Sequence, residues 1–512
     1  MHLFNIFTAA FSLLNIGRGV LGVPNPNSEH NLVERQARTT PILTVFPGQA
    51  ALPTLADIIN LNATNGTFLP IQNIQGDILV GMKKQLETFY FFHINDPASF
   101  KTALNSYVPT ITSTATLLSP ASSQPLAFVN IAFSSTGLQA LGITDDLGDS
   151  QFSSGMYADA TNLGDSLSTW ESPFAGTNIH GVFLIGTDQL APQDSYVSFY
   201  VSGIVSTFGS SITEVDRIDA SARPGDEAGH EHFGFLDGIS NPAVAGFSTT
   251  VLPGQTVVPS GTILTGRLGD VALRPSWTLD GTFMAFRKLQ QKVPEFDAWT
   301  LENAIQNPEG TLTVQQGADY LGARMFGRWK SGAPTDITPL VDDPTLGADP
   351  QSNNNFDFAH ANSSLISDQS RCPFSAHIRK TNPRADLADA NTINHAIRAG
   401  TPYGPEVSSS EASSNTSTQD RGMAFVEYQS TIGNGFRFQQ INWANTANFP
   451  PLKTVTPGIE PIVGQGSPRT ADGLNPVDPS VGYTVPQFVI PTGGEYFFVP
   501  SISAITDVIT AS

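Results

Sequence analysis

The stretch FYFFHI at residues 89–94, closed at once by NDP at residues 95–97, decides the fold. Aromatic residues dominate the stretch, and Asn-Asp-Pro is typical of a turn that ends a strand, so the pattern predicts a β-strand. Other elements of the N-terminal half are predicted on the same grounds: strands at residues 74–79, 127–133, 181–185 and 197–201, and helices at residues 98–107 and 135–141. Strand, helix, strand in succession favours an α+β fold with antiparallel sheets.

A second set of elements follows in the C-terminal half. The stretch TFMAFRK at residues 282–288 resembles the first aromatic strand, and RGMAFVEY at residues 421–428 is again typical of a strand. The remaining predictions are helices at residues 294–306 and 319–329, an exposed loop at residues 407–420 and a closing strand at residues 494–500. A duplicated α+β unit is therefore expected, although identity between the halves is too low to establish a repeat.

Composition excludes several classes of protein. The 512 residues are 40% hydrophobic, enough to fill real cores, and 14% charged, below the roughly 25% of an average soluble domain. Lys and Arg number 25 against 45 Asp and Glu, a net charge of −20. Nucleic acid is therefore not an expected partner, because polyanions bind through clustered cations. An acidic surface fits a protein that works in mildly acidic surroundings.

The single cysteine, Cys372, excludes an intrachain disulfide and any zinc or iron–sulfur site built on paired thiolates. Phe outnumbers the other aromatic residues, with 33 Phe against 10 Tyr and 5 Trp. A Phe-rich core is the simplest interpretation. An apolar pocket for a flat aromatic cofactor is compatible with the same composition.

The N-terminus predicts a secreted protein. Residues 3–16 are apolar and precede a zone of small residues, as in a signal peptide, although the start carries no Lys or Arg. We assign residues 1–22 to a signal peptide and residues 23–60 to a propeptide or N-terminal strap; a disordered leader is the alternative for the first part. No segment is long and apolar enough to span a membrane. The glycosylation sequons at Asn62, Asn65, Asn362 and Asn415 agree with this route.

Three stretches carry residues suited to chemistry. The first is GFLDGISNP at residues 234–242, which places Asp237 among apolar residues and between glycines that let a ligand approach the backbone; a plain Asp-Gly turn is the alternative. The second is RCPFSAHIRKTNPR at residues 371–384, where the His377 imidazole could bind a metal and the following basic residues the carboxylates of a cofactor. A core histidine is the alternative there.

The third stretch is a predicted helix at residues 386–399, ended by Gly400 and Pro402. His395 and Arg398 are three positions apart and would share one face of it. A solvated helix face is the alternative.

Together these segments resemble the dye-decolorizing peroxidase family, in particular its secreted fungal branch. Residues 234–238 match the family's Gly-x-x-Asp-Gly signature, residues 372–377 match its proximal haem-ligand segment, and Arg398 lies where the distal arginine is expected. The resemblance runs from about residue 70 to the end. It implies two tandem ferredoxin-like domains, which we place at residues 61–255 and 256–512, with one haem b per chain in the C-terminal one.

The resemblance also implies roles for single residues. His377 would be the proximal iron ligand, and Glu460 is the candidate partner for its other ring nitrogen. Asp237 would move the peroxide proton, and Arg398 would stabilise the charge that develops during O–O cleavage.

Three further residues are expected to contact the cofactor. His395 would contact a haem propionate, and Met423 and Phe425 would line the distal pocket, where relatives commonly carry Leu at the first position. A thiolate haem ligand at Cys372 is the weaker alternative to His377, because the glycine-rich loop that such a ligand uses is missing.

The implied function is a peroxidase that uses hydrogen peroxide to oxidise dyes, phenolics and other aromatic reductants through a ferryl porphyrin-radical intermediate. It would be a monomer or weak homo-oligomer, secreted, with no membrane or nucleic-acid partner. Surface aromatic residues would serve bulky dyes, with Tyr403, Tyr428 and Trp443 as possible carriers or structural residues. A non-catalytic haem carrier on the same scaffold is the alternative, and a secreted structural glycoprotein without cofactor is a third hypothesis.

Overall fold

The computed structural model describes residues 38–65, 68–188, 193–387, 392–478 and 481–511. The predicted signal peptide lies outside these residues, and the boundary near residue 255 stays a prediction. The strands are β1 Leu86–Ile94, β2 Phe128–Phe133, β3 Gly181–Thr187, β4 Ile212–Ser221, β5 Ala243–Val244, β6 Val257–Val258, β7 Thr282–Gln291, β8 Ile397–Arg398, β9 Thr401–Tyr403, β10 Gly422–Gln429, β11 Thr470–Ala471, β12 Tyr483–Thr484 and β13 Val489–Val499.

Nine of these strands form one antiparallel sheet that closes on itself. Its order is β7-β13-β2-β3-β1-β4-β9-β10-β8, and β10 also pairs with β7 along its whole length. Among the described strands of this sheet, those of the N-terminal half pair with those of the C-terminal half at two narrow points, Phe498 opposite Phe133 and Ala220 opposite Tyr403. The result is the expected α+β fold with antiparallel strands, with both halves contributing to one barrel wall.

Helices cover the barrel and fill its connections. The α-helices are Leu55–Asn65, Pro97–Tyr107, Thr114–Leu117, Ser135–Ala140, Ser150–Ser154, Met156–Asp159, Gln193–Phe208, Val293–Glu302, Val314–Phe326, Pro344–Ala348, His377–Thr381, Ser409–Ser414, Phe436–Phe438 and Ile502–Ala504. Two stretches, Gln439–Ala444 and Ile505–Ile509, are π-helical. None of the helices in the described part of the chain has the length and apolar character needed to cross a membrane.

Two strand predictions in the N-terminal half are wrong. Residues 197–201 lie within the helix Gln193–Phe208, where Tyr200, Ile204 and Phe208 recur every four positions and are buried. Residues 74–79 form turns instead of a strand. The Gln75 side-chain amide bonds both the N–H and the carbonyl of Ile131, so a side chain occupies the place that a neighbouring strand would take.

The loop prediction at residues 407–420 also misses a helix, Ser409–Ser414. Ser408 caps it, and Glu411 at its third position returns the contact, a capping box within a Ser-rich stretch. The carboxylate of Glu411 is buried against Arg421, which ties this connection to the start of β10.

Phe side chains build the main core, as the composition predicts. The ring centroid of Phe91 in β1 lies 5.0 Å from that of Phe286 in β7 and 5.3 Å from that of Phe174, and both pairs meet edge to face. These contacts join strands from the two halves of the chain, so burial of aromatic rings stabilises the barrel as one unit, at roughly 1.5–3 kcal/mol per fully buried ring.

A second core lies in the C-terminal half and supports the loops around the candidate site. It joins the helices Val293–Glu302 and Val314–Phe326 to the loop that carries Phe233 and Phe235. The rings of Phe235 and Phe326 stack at 3.7 Å. A rigid helical layer therefore holds the segment that leads into Asp237.

The segment after residue 38 lies against the N-terminal half. Ile42 and Leu43 are buried beside Val80, Leu117 and Phe128.

Candidate functional site

A cavity of about 220 Å³ lies where β7, β10 and β13 meet the loops and short helices of the C-terminal half. It brings together six of the residues singled out in the sequence: Asp237, His377, His395, Arg398, Met423 and Phe425. The seventh, Glu460, does not line the cavity but contacts His377 from behind. Residues more than 180 positions apart in the chain thus share one site.

Asp237 sits in a loop whose backbone requires two glycines. Gly234 and Gly238 have φ of +91° and +80°, the left-handed region that other residues rarely adopt. The N–H of Gly238 donates to Asp237 Oδ1 at 2.6 Å, and the Asp237 N–H donates to the carbonyl of Gly229 at 3.0 Å. The Gly-x-x-Asp-Gly stretch is a turn, but one that fixes the carboxylate at the cavity wall.

Arg398 lies on strand β8 and not on a helix. The helix predicted at residues 386–399 is wrong for the part of it that the structure describes, and residues 388–391 lie outside that part. Residues 384–386 form a turn of 3-10 helix, and Ile397 and Arg398 pair with Tyr428 and Glu427 of β10. The side chain and N–H of Arg398 are both positioned, since Nη1 donates to Asp237 Oδ1 and the N–H donates to Asn241 Oδ1 at 3.0 Å. Although they share no helix face, His395 and Arg398 still line the same cavity.

The Asp237–Arg398 pair favours an ionised carboxylate. Burial would raise the pKa of Asp237, but the guanidinium of Arg398 and the N–H of Gly238 outweigh it and hold that pKa below its ordinary value. About a quarter of each side chain stays accessible, 25% for Asp237 and 26% for Arg398. Both groups can therefore reach a small molecule in the cavity.

His377 begins a short helix, and its two ring nitrogens have different environments. Nδ1 lies 3.2 Å from Glu460 Oε1, which makes Nδ1 the donor and leaves Nε2 with its lone pair. The side chain is 26% exposed and lines the cavity. An imidazole held in this way presents a free nitrogen to a metal, as in metal sites where a carboxylate orients the ligand.

Glu460 is fully buried and held as a carboxylate. Its oxygens accept N–H bonds from Ile462 at 2.9 Å, from Gly464 at 2.6 Å and from Val463. Burial would raise the pKa of Glu460, yet the contact with His377 and these backbone donors lower it overall. The negative charge of Glu460 therefore lies next to the His377 imidazole, behind the cavity.

Only part of the basic patch after His377 faces the cavity, where the sequence predicted all of it to contact a cofactor. Arg379 turns away from the cavity to pair with Asp386, and Lys380 is buried against backbone carbonyls. Arg384 does line the cavity, together with Arg328, which sequence reasoning missed. Because only some of the residues after His377 line the cavity, a basic run in the sequence does not show which cation faces the site.

Arg328 is a buried cation and Arg384 a half-buried one, and the hydrogen-bond partners of both are neutral. Arg328 donates to the carbonyls of Gly332 at 2.8 Å and Asn353 at 2.6 Å, and Arg384 donates to Asn354 Oδ1 at 2.5 Å. Burial lowers the pKa of Arg328 to about 9 and that of Arg384 to about 10. Within the described ranges, neither forms an ion pair, so their charges suit a ligand that brings its own carboxylates.

The rest of the cavity wall is largely apolar. Phe235, Leu236, Ile239, Leu289, Phe326, Ile462, Val463 and Val489 contribute to it. A free imidazole nitrogen, apolar walls and two uncompensated guanidinium groups together fit a flat, apolar, metal-containing cofactor with carboxylate arms, which is the chemistry of haem.

Comparison with known proteins agrees with this geometry. Residues 73–224 match the family model described as the DyP dimeric alpha+beta barrel domain. A dye-decolorizing peroxidase of Auricularia auricula-judae is 53% identical over 478 residues, which cover 91% of each chain. The chain belongs to the dye-decolorizing peroxidase family.

Other members of the dye-decolorizing peroxidase family are similar over most of their length. Peroxidase 2 of Mycetinis scorodonius is 51% identical over 504 residues, which cover 95% of this chain and 96% of that protein. A solved structure of a dye-decolorizing peroxidase in complex with 2,6-dimethoxyphenol has 65% identity and a TM-score of 0.84, covering 87% of this chain and 100% of that one.

Two buried carboxyl groups of this dye-decolorizing peroxidase were missed by sequence reasoning. Glu231 lies in the loop before Asp237, and Glu427 lies opposite Arg398 in the β8–β10 pairing; both line the cavity. Burial raises the pKa of each to about 7. Glu427 occurs in the recognised strand at residues 421–428, and only the register of that strand, which the sequence does not specify, turns it inward.

The aromatic residues considered as carriers are all buried. Tyr428 donates its hydroxyl to Asp77 at 2.5 Å inside the barrel, and Tyr403 donates to Asp420 at 3.0 Å. Trp443 lines the cavity and stacks on Phe449 at 5.3 Å. None of the three is a surface residue, which favours the structural interpretation of the two tyrosines.

Cys372 is buried, as expected, and does not line the cavity. Burial raises the pKa of its thiol to about 12, so a thiolate is strongly disfavoured. The thiolate alternative to His377 is therefore wrong for this site.

Proposed function

We propose that this member of the dye-decolorizing peroxidase family binds one haem b in the cavity and uses hydrogen peroxide to oxidise dyes, phenolics and other aromatic reductants. The observation that carries the proposal is the meeting, in one cavity, of a carboxylate-anchored imidazole with an ionised Asp–Arg pair. A histidine bound to a carboxylate, or an Asp–Arg pair, can each be purely structural when it occurs alone. The two together are suited to peroxide chemistry.

His377 is the proposed iron ligand through Nε2. Glu460 accepts the Nδ1 proton, which fixes the tautomer and makes the imidazole a stronger electron donor. Arg328 and Arg384 are positioned to bind the carboxylate arms of the cofactor, and His395 lines the same cavity as a further contact. When bound, haem would supply the iron at which peroxide reacts and would hold the two oxidising equivalents that peroxide provides until the reductants take them up.

Asp237 moves the proton of the peroxide. Its carboxylate accepts the proton from one oxygen and donates it to the other, which then leaves as water. The permanently charged guanidinium of Arg398 lies beside it and stabilises the negative charge that develops on the departing oxygen. Because Arg398 also lowers the pKa of Asp237, the base stays ionised in acidic solution. Met423 and Phe425 of β10 narrow the space around this pair.

Small phenols are proposed as one class of reductant. The similar structure in complex with 2,6-dimethoxyphenol supports this class, since that protein is 65% identical to the chain. Two oxidising equivalents from each peroxide are passed on in single-electron steps, so two reductant molecules are consumed per turnover.

We propose that the protein is secreted, with residues 1–22 as its signal peptide. Two of the four sequons, at Asn362 and Asn415, lie on exposed side chains where a glycan can be attached. A monomer or weak homo-oligomer is the proposed state.

A single titration tests the enzymatic proposal against the carrier alternative. Purified protein loaded with haem should show a Soret band, lose that spectrum on addition of one equivalent of peroxide, and bleach an anthraquinone dye at acidic pH. A Soret band without peroxide-dependent dye turnover would favour the carrier. Absence of any Soret band would exclude haem binding altogether.

A further inference from the structure

Lys380 is a buried cation behind the proposed iron ligand. It lies one turn after His377 in the same short helix, and its side chain is fully buried. Its three N–H donors meet three carbonyls, those of Gly458 at 2.5 Å, Thr446 at 2.7 Å and Trp443 at 3.3 Å. An ammonium has three donors, so these contacts satisfy its hydrogen bonds but leave its charge unpaired.

Arg469 repeats the arrangement from the opposite end of the Glu460 turn. Nη2 donates to the carbonyl of Pro461 at 2.9 Å, Nη1 donates to that of Gly464, and Nε donates to that of Val485 at 3.2 Å. The residue is buried as well. Within the part of the chain that the structure describes, neither Lys380 nor Arg469 forms an ion pair with a carboxylate.

The backbone between these cations is oriented toward Glu460. The peptide N–H groups of residues 462–464 donate to the Glu460 carboxylate, while the carbonyls of Pro461 and Gly464 face Arg469. On the other side, Lys380 binds the carbonyl of Gly458, two residues before Glu460. The Glu460 N–H is bonded to the carbonyl of Ala444, next to the Trp443 carbonyl that Lys380 also binds.

The charges in this region form an ordered series. The His377 imidazole contacts the Glu460 carboxylate. Lys380 and Arg469 lie on two sides of that carboxylate, and polarised peptide groups separate each cation from it. Burial lowers the pKa of Lys380 to about 7 and also lowers that of Arg469, and attraction to Glu460 offsets part of each change. An unpaired buried charge is costly unless an opposite charge lies near.

We propose that Lys380 and Arg469 are positioning residues that set how strongly Glu460 attracts the Nδ1 proton of His377, and thereby limit the electron donation of that imidazole to the iron. Their positive charge compensates part of the carboxylate charge. This inference rests on the proposed function, because it takes His377 as the iron ligand.

The test is Lys380→Met in the haem-loaded full-length protein, read by the reduction potential of the Fe(III)/Fe(II) couple. Loss of the cation leaves Glu460 more basic, which stabilises ferric iron. We expect the ferric-to-ferrous ratio at a fixed potential to rise about tenfold, a negative shift of about 59 mV for a one-electron couple. The iron–histidine stretching frequency of the ferrous protein should rise in parallel, and Lys380→Arg should restore both values.

A purely structural role gives the opposite result. If Lys380 only holds the three segments together, its loss loosens the contact between His377 and Glu460; the potential then shifts to positive values and the stretching frequency falls. That outcome, or no shift, overturns the proposal. Should Lys380→Met fail to fold or bind haem, Arg469→Gln carries the same prediction with the same sign.

Lys453→Met is the matched control. Lys453 is another buried lysine of this half, paired with Asp386 and bonded to the carbonyl of Leu365 at 2.9 Å, and it does not contact the Glu460 turn. The control should leave the potential unchanged. A wild-type protein without a histidine-ligated haem spectrum would refute the proposed function itself, whereas a normal wild type with an unshifted Lys380→Met variant refutes only this inference.

Discussion

His377 Nδ1 and Glu460 Oε1 lie 3.2 Å apart although 83 positions separate the residues in the chain. The contact fixes which imidazole nitrogen faces the cavity. It also connects the electronic properties of a metal bound there to a carboxylate that is fully buried.

Replacing the Glu460 carboxylate with an amide should weaken electron donation from the His377 imidazole to the iron. In Glu460→Gln the neutral oxygen attracts the Nδ1 proton less, so the Fe(III)/Fe(II) potential should become more positive, opposite to the change expected for Lys380→Met. The amide N–H₂ would also face backbone donors now satisfied by the carboxylate, at a cost of about 1–3 kcal/mol in the free energy of unfolding. Glu495→Gln, which changes a buried carboxyl group outside the cavity, is the control. An unchanged potential in Glu460→Gln would show that the contact has no electronic role.

Removing the imidazole should remove most of the haem. His377→Ala is expected to give a chain with little Soret absorbance, and added imidazole should restore part of it, because the cavity then accepts a free ligand. His360→Ala changes a histidine paired with Asp336 outside this cavity and should bind haem like the wild type. A normal ferric spectrum for His377→Ala would place the iron ligand elsewhere.

Asp237→Asn separates haem binding from proton transfer. The variant should keep the Soret band, since Asp237 is not the proposed ligand, and should react with peroxide roughly 10²–10⁴-fold more slowly, the usual contribution of a general acid–base group. Stopped-flow absorbance at the Soret maximum measures the rate. A rate equal to that of the wild type would remove Asp237 from its role.

Arg398→Leu should change the pH dependence of the same reaction. Without the guanidinium, burial dominates and the pKa of Asp237 rises, so the carboxylate becomes protonated, and inactive as a base, at a higher pH. The acid limb of the rate profile should therefore move to higher pH. Arg267→Leu breaks an Arg–Asp pair outside the cavity and should leave the profile in place, and an unmoved acid limb in Arg398→Leu would contradict the coupling.

Met423 is expected to be an oxidation site within the cavity. Its thioether lines the space where peroxide reacts, so sulfoxide should accumulate there during turnover, measurable by peptide mass spectrometry. Met423→Leu should fold with a loss of less than about 1.5 kcal/mol and keep its activity for longer at high peroxide concentration. Equal inactivation of both proteins would show that Met423 is not the vulnerable group.

Sequence patterns predicted the parts of the fold that depend on local chemistry. The aromatic strands β1 and β7 were recognisable, because rows of Phe suit a surface buried on both sides. The Gly-x-x-Asp-Gly turn and the histidine segment were likewise found from short motifs, because glycine conformation and ligand chemistry are local properties. The helix expected at residues 386–399 was wrong because Gly400 and Pro402 end a strand segment as readily as a helix.

Other parts of the site follow only from tertiary structure. The inward position of Glu427 depends on strand register, and the roles of Lys380 and Arg469 depend on carbonyls contributed by distant segments. A cation that binds only backbone groups leaves no sequence pattern, since any residue can supply the carbonyl. Closure of the barrel through Phe133 and Phe498 is a further case, because the two residues are 365 positions apart and pair at one point.

The structure of the haem-loaded protein with a small anion such as cyanide on the iron tests the central claim most directly. We expect the iron to be bound by Nε2 of His377, with the anion on the opposite face of the ring and within hydrogen-bond distance of Asp237 and Arg398. An iron bound by another side chain, or His377 and Asp237 on the same face, would contradict the account.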